Sequence, residues 1–98
     1  MCTKAEGGEA MVLYNDIAWQ KEKSSGMIYV YKSVGEEYFF FDGIGAYIWE
    51  QGIKGIDIEE IAEDISHDYP DVTLSEIEND IRNFINELEV NQIIKSVD

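Results

Sequence analysis

Few residues of this chain are equipped for chemistry, and most of those that are stand alone. His67, the one histidine, follows Asp64 by three positions and precedes Asp68 by one. On a helix this spacing puts two carboxylates and an imidazole along one face, where a divalent cation can be gathered. The same three on an acidic helix are more simply a solvated surface, and no metal is expected. Cys2 lies in a polar stretch whose one basic neighbour is Lys4, so nothing marks it as an activated nucleophile. No glycine-rich phosphate loop, zinc-ligand spacing or nucleophile elbow is present. Neither catalysis nor a cofactor is expected. What remains is recognition chemistry in Glu-Tyr-Phe-Phe-Phe-Asp-Gly-Ile-Gly-Ala-Tyr-Ile-Trp, residues 37 to 49, where an aromatic strand runs through Asp42 into a helix. Strand side chains alternate between faces, so Tyr38, Phe39, Phe40 and Phe41 cannot all point inward. One face keeps apolar surface that the core does not use.

The elements that position this junction follow from composition and periodicity. The 98 residues, 45% of them hydrophobic, suit one globular domain. We place a flexible tail over 1–10 and a single domain over 11–98. The tail has neither the basic start nor the apolar core of a signal peptide, no apolar run approaches a membrane span, and a lone cysteine fits a reducing cytoplasm. The net charge of −14 repels phosphate backbones and anionic membranes. It steers a neutral or basic peptide or protein toward the surface, although acidity also serves solubility alone.

Met11–Tyr14 and Ile17–Lys21 read as one broken strand region around Asn15-Asp16. Met27–Lys32 alternates as a second strand, with Ile28 and Val30 on one face and Met27, Tyr29 and Tyr31 on the other; it forms a hairpin with the aromatic third strand. From Asp42, a suitable N-cap, the period becomes helical through Ile44, Tyr47 and Ile48, and Gly52 is placed to end that helix. Asp57 with Glu60, and Thr73 with Glu76, spell capping boxes for two further helices, with Ile56–Ile61 and Val72–Ile77 as hydrophobic staples. Ile58, Ile61, Ala62 and Ile65 form the apolar stripe of the second helix, which stops before Pro70. Ile77, Ile81, Phe84, Ile85 and Leu88 form that of the third, and Ile93-Ile94 closes the chain with a short extended piece. The expected fold is α+β, a winged helix-turn-helix-like domain with a three-stranded antiparallel sheet followed by three helices.

At the junction the chain resembles the PqqD family, also called RiPP recognition elements, whose pattern runs Leu-Asn, two residues, Gly-Ala, one residue, Ile-Trp. Phe41-Asp42, Gly45-Ala46 and Ile48-Trp49 occupy those places, and Gly55, Ile58–Ile65 and Tyr69 follow at similar spacing. The resemblance covers roughly residues 15 to 95; Phe-Asp for Leu-Asn and the acidic helical half depart from it. It implies a non-catalytic protein that captures the leader of a ribosomally made precursor peptide by strand addition. The leader lies along the third strand, in a groove against the third helix; with Phe41 in the inward Leu place, alternation turns Phe39 inward too and Tyr38 and Phe40 to the opposite face. The modifying enzyme is then separate, a radical-SAM maturase or a lasso-type leader peptidase. On that basis the groove is expected to comprise Tyr38, Phe39, Phe40, Ile77, Asp80, Ile81 and Phe84, with Asp80 pairing to basic leader residues and Trp49 structural. A stripe at helical spacing is the ordinary way to bury a helix, so Ile77, Ile81 and Phe84 suit a pure core better than ligand contacts. The other edge of the third helix offers Glu78, Arg82 and Ile85.

Two other functions fit the pattern less well. A winged-helix DNA-binding regulator needs a basic third helix, whereas Glu76, Glu78, Asp80, Glu87 and Glu89 face Arg82 along this one. An acidic scaffold or homodimer would pair the same strand edge with a second copy.

Overall fold

A computed structural model describes residues 11–95 of the chain; the tail expected over 1–10 lies outside them. In order, the elements are β1 (Val12–Leu13), β2 (Ile17–Lys21), β3 (Ile28–Lys32), β4 (Glu37–Phe41), α1 (Gly43–Ile53), α2 (Ile58–Ser66), α3 (Leu74–Val90) and β5 (Ile94–Lys95). Strands β2, β3 and β4 form an antiparallel sheet in that order, followed by three helices, as the α+β expectation requires. The segment read as one broken strand divides between two sheets. The chain turns at Asn15-Asp16, β1 pairs with β5, and only β2 joins β3. Lys32 fixes that turn. Its ammonium lies 3.1 Å from Asp16 Oδ2, donates to the Gln92 carbonyl at 3.1 Å and sits over the Tyr14 ring. The hydrogen bond that Lys32 donates to Asp16 holds its carboxyl below the usual carboxylate range, and the Val34 amide donated to the same oxygen adds to it.

The inward face of the sheet packs on the helices. Ile28 and Val30 of β3 are buried together with Ala46, Trp49, Leu88, Ile93 and Ile94. Trp49 is the centre of this core: its indole stacks on Phe41 at 5.5 Å and meets Trp19 edge-on at 5.8 Å. A second core of Ile48, Ile61, Ala62, Ile65, Ile77 and Ile81 joins the three helices. Phe84 and Ile85 of α3 pack against both. Ile58, expected in the buried stripe of α2, is only half-buried.

The helix signals are realised unevenly. At α3 the capping box is complete: Thr73 Oγ1 accepts the Glu76 amide at 3.1 Å, and the Glu76 carboxylate accepts the Thr73 amide at 3.2 Å. Asp42 and Asp57 occupy the N-cap positions of α1 and α2 with extended backbones, but neither side chain makes a cap bond. The capping box expected of Asp57 with Glu60 is therefore not formed, and helix α2 starts on its apolar stripe instead. Gly52 does not end α1. It is buried one residue inside the helix end, and Gly55, with φ +87°, takes the left-handed position beyond. Gly52 serves close approach, since an added Cβ would meet Met11 Sδ at 2.8 Å.

Candidate functional site

Strand β4 lies at the edge of its sheet, and its hydrogen-bond phase decides what the edge presents. Residues of an antiparallel strand point both main-chain groups alternately to one neighbour and to the other. The Ser33 amide donates to Asp16 and the Met27 carbonyl accepts from Glu22, so the odd residues of β3 face β2. Ile28, Val30 and Lys32 then face β4, opposite Phe41, Phe39 and Glu37. Among the described residues no strand pairs with the outer side of β4, so the amides and carbonyls of Tyr38 and Phe40 are left directed at an open edge. Strand addition uses such a row: an incoming peptide satisfies these groups and lengthens the sheet.

The same alternation sorts the side chains. Phe39 and Phe41 turn inward and pack against the first core. Tyr38 and Phe40 turn outward and are 67% and 60% exposed. Beside the inward end of β4, Phe84 of α3 meets Phe41 edge-on at 5.2 Å and covers Gly45 in the first turn of α1. This aromatic contact spaces α3 from the strand.

The seven residues expected to form one groove divide among four places. Tyr38 and Phe40 share the outward face, across the sheet from α3. Phe39 and Phe84 are half-buried on the inward side. Ile77 and Ile81 are 5% and 1% exposed within the second core, and Asp80 is exposed on α3. Around it on α3, Glu76, Arg82 and Glu87 are also exposed. Phe41, not one of the seven, turns inward beside Phe39, as its place in the strand-to-helix motif implies. Tyr29 and Tyr31 are not among the seven either. Their rings meet Phe40 at 5.3 Å and Tyr38 at 4.9 Å on the outward face, where the alternation of Met27–Lys32 puts them.

The carboxylates flanking His67 have other company. Asp64 accepts a hydrogen bond from the Tyr47 hydroxyl at 3.0 Å. Burial, that bond and the nearby carboxylates raise the Tyr47 phenol above its ordinary pKa. Asp64, Asp68, Tyr47 and Tyr69 line a crevice of about 370 Å³ between α1 and α2. Among the described residues no three His, Cys, Asp or Glu side chains converge on a metal-binding point, and no described helix is long and apolar enough to cross a membrane.

Comparison with known proteins places this architecture. The family model described as "Coenzyme PQQ synthesis protein D (PqqD)" matches residues 25–94. No curated protein matches the chain. Two solved structures share its fold. TbiB1 in complex with the TbiA(beta) leader peptide has a TM-score of 0.74 at 22% identity, over 88% of this chain and 96% of that one. Lasso peptide synthetase B1 complexed with the leader peptide has a TM-score of 0.77 at 19% identity, over 88% of this chain and 98% of that one. The chain belongs to the PqqD family.

Proposed function

We propose that this PqqD-family protein captures the leader of a ribosomally synthesised precursor peptide by strand addition to β4 and presents it to a separate modifying enzyme. The observation that carries the reading is the open edge at Tyr38 and Phe40, bounded on its inward side by Phe39, Phe41 and Phe84. Two solved proteins of this fold, each in complex with a leader peptide, support it. The protein itself is non-catalytic and works in the cytoplasm. Holding the leader raises the effective concentration of the attached core segment at the enzyme, which needs no reactive group here. The enzyme is a radical-SAM maturase or a lasso-type leader peptidase. Within the groove Phe39 and Phe84 seat an apolar anchor at the mouth, Ile77 and Ile81 support it from the core, and Asp80 attracts basic leader residues.

Fluorescence anisotropy with the labelled leader of the precursor encoded beside this protein tests the proposal. The expected Kd is roughly micromolar to tens of nanomolar, because a short peptide must be ordered on a small surface. Folded protein that binds no such leader refutes it. Raising the salt should weaken binding where Asp80 contributes, and indifference to salt removes Asp80 from the groove. The DNA-binding alternative is disfavoured by the exposed carboxylates of Glu76, Asp80 and Glu87 on α3, which repel the phosphate backbone.

A further inference from the structure

A leader added at β4 engages the open backbone and the inward side of the strand; the outward side of the sheet carries a second feature. Its six outward positions are Ala18, Gln20, Tyr29, Tyr31, Tyr38 and Phe40. An antiparallel sheet with one face on the core usually turns a polar face to water. Here four of the six are aromatic and none is charged, in a chain with 21 acidic and 7 basic residues. The rings form two cross-strand pairs, Tyr29 with Phe40 at an interplanar angle of 89° and Tyr31 with Tyr38 at 39°. They line a shallow depression of about 510 Å³ that runs to the open edge.

We propose that this outward aromatic row is a second line of specificity subsites for the strand added at β4, taking aromatic or aliphatic side chains at alternate peptide positions. The inference rests on the leader-binding reading. Its occupant follows from the pleat. Tyr38 and Phe40 carry both the open main-chain groups and the outward rings, so a strand paired to those groups sets every second side chain on the outward face. The two that align with Tyr38 and Phe40 extend the rows begun by Tyr31 and Tyr29. The rows end at rings open to solvent on the side where the peptide arrives, and cross-strand aromatic and aliphatic pairs are the stabilising units of a sheet. The protein therefore selects a leader segment that is apolar on both faces over four or five residues. A segment apolar only toward α3 is discriminated against. A second copy suits this edge less well, because it would bring together two chains of net charge −14.

A phage-displayed random dodecapeptide library, panned against the full chain, tests this without relying on any one leader sequence. Enriched peptides are resynthesised with a fluorescent label and titrated by anisotropy against the wild type and Tyr38→Thr/Phe40→Thr. Both positions are exposed and threonine suits a strand, so folding should survive and circular dichroism checks it. Enriched peptides should carry apolar residues in both alternating rows, and the double variant should bind them on the order of ten-fold more weakly. Threonine at the peptide's two outward positions should give the same loss with the wild type and little further loss with the variant. Equal affinity for both proteins overturns the outward row, while perturbed Tyr38 and Phe40 amide resonances on peptide addition would keep the edge reading standing. A library that yields no peptide perturbing those amides overturns the edge reading and this inference with it. A dimer that the double variant dissolves, with peptide affinity unchanged, assigns the row to a second copy and overturns it too.

Discussion

Alanine substitution at two glycines of α1 separates packing from backbone propensity within one helix. Gly45 and Gly52 lie near opposite ends of α1, so each exchange should recover about 0.5 kcal/mol of the cost of glycine in a helix. At Gly45 an added methyl would stand 3.6 Å from Phe84 Cε1 and 3.7 Å from Phe41 Cβ, which is ordinary contact. Gly45→Ala should therefore stabilise the protein by about 0.5 kcal/mol, or roughly 2–4 °C in Tm. At Gly52 the methyl would stand 2.8 Å from Met11 Sδ and 2.9 Å from its Cε. Met11 has little freedom to withdraw, because it is 8% exposed and its amide donates to the Gly52 carbonyl at 3.1 Å. Overpacking costs about 1–3 kcal/mol, and the flexible thioether suggests about 1. Gly52→Ala should then be destabilising by about 0.5 kcal/mol, some 4–8 °C below Gly45→Ala. Urea and thermal unfolding followed by circular dichroism measure both. Met11→Ala alone should cost about 2 kcal/mol, yet in that background Gly52→Ala should become stabilising. The cycle thus has a coupling of about 1 kcal/mol. Equal melting temperatures for the two alanine variants, or additivity with Met11→Ala, would mean that Met11 does not exclude a side chain at Gly52.

Other consequences can be checked with the same equipment. Thr73→Ala removes a formed cap and should cost about 1 kcal/mol, whereas Asp57→Ala, whose side chain makes no cap bond, should cost distinctly less; equal losses in urea melts would contradict the difference between the two helix starts. Because the folded pKa of Asp16 is depressed by Lys32, the stability it contributes is present above the ordinary carboxylate pKa and is lost as pH falls through the folded value. Asp16→Asn should accordingly flatten the acid limb of the stability curve, and an unchanged limb would remove the pair from the account. Burial raises the Tyr47 phenol, so its ionisation, followed by ultraviolet absorbance, should come later than that of an exposed tyrosine, and Asp64→Asn should bring it part of the way back.

The parts of this fold legible in the sequence are those set by local period. The alternation of Met27–Lys32 sorts Ile28 and Val30 from Tyr29 and Tyr31, and Ile77, Ile81 and Leu88 mark the buried face of α3. Thr73 and Glu76 announce their box because both partners lie within one turn. What the sequence withholds depends on partners far along the chain. Gly52 carries the same signal whether it ends a helix or admits Met11, some forty positions away, and Met11–Lys21 reads as strand whether or not its two halves share a sheet. At the candidate site what the sequence withholds is how far the stripe of α3 sinks, since Ile77 and Ile81 are buried while Asp80 stays exposed; the local alternation of β4 by itself separates the inward Phe39 and Phe41 from the outward Tyr38 and Phe40.

That separation bears directly on recognition, because in an extended strand the direction of the main-chain groups and the face of the side chain alternate together. The residues whose amides are open at β4 are therefore the residues whose rings face outward, and Phe39 and Phe41 are at once paired to β3 and turned to the core. The coupling fixes what each kind of substitution removes. Loss of the Tyr38 and Phe40 rings leaves the inward core and the open backbone intact, so strand addition should survive with altered selectivity. Loss of Phe84 takes away the ring between Phe41 and Gly45, so both stability and the inward side of the groove should suffer. A Phe84→Ala protein that bound peptide as tightly as wild type, while Tyr38→Thr/Phe40→Thr did not, would place selection on the outward face alone.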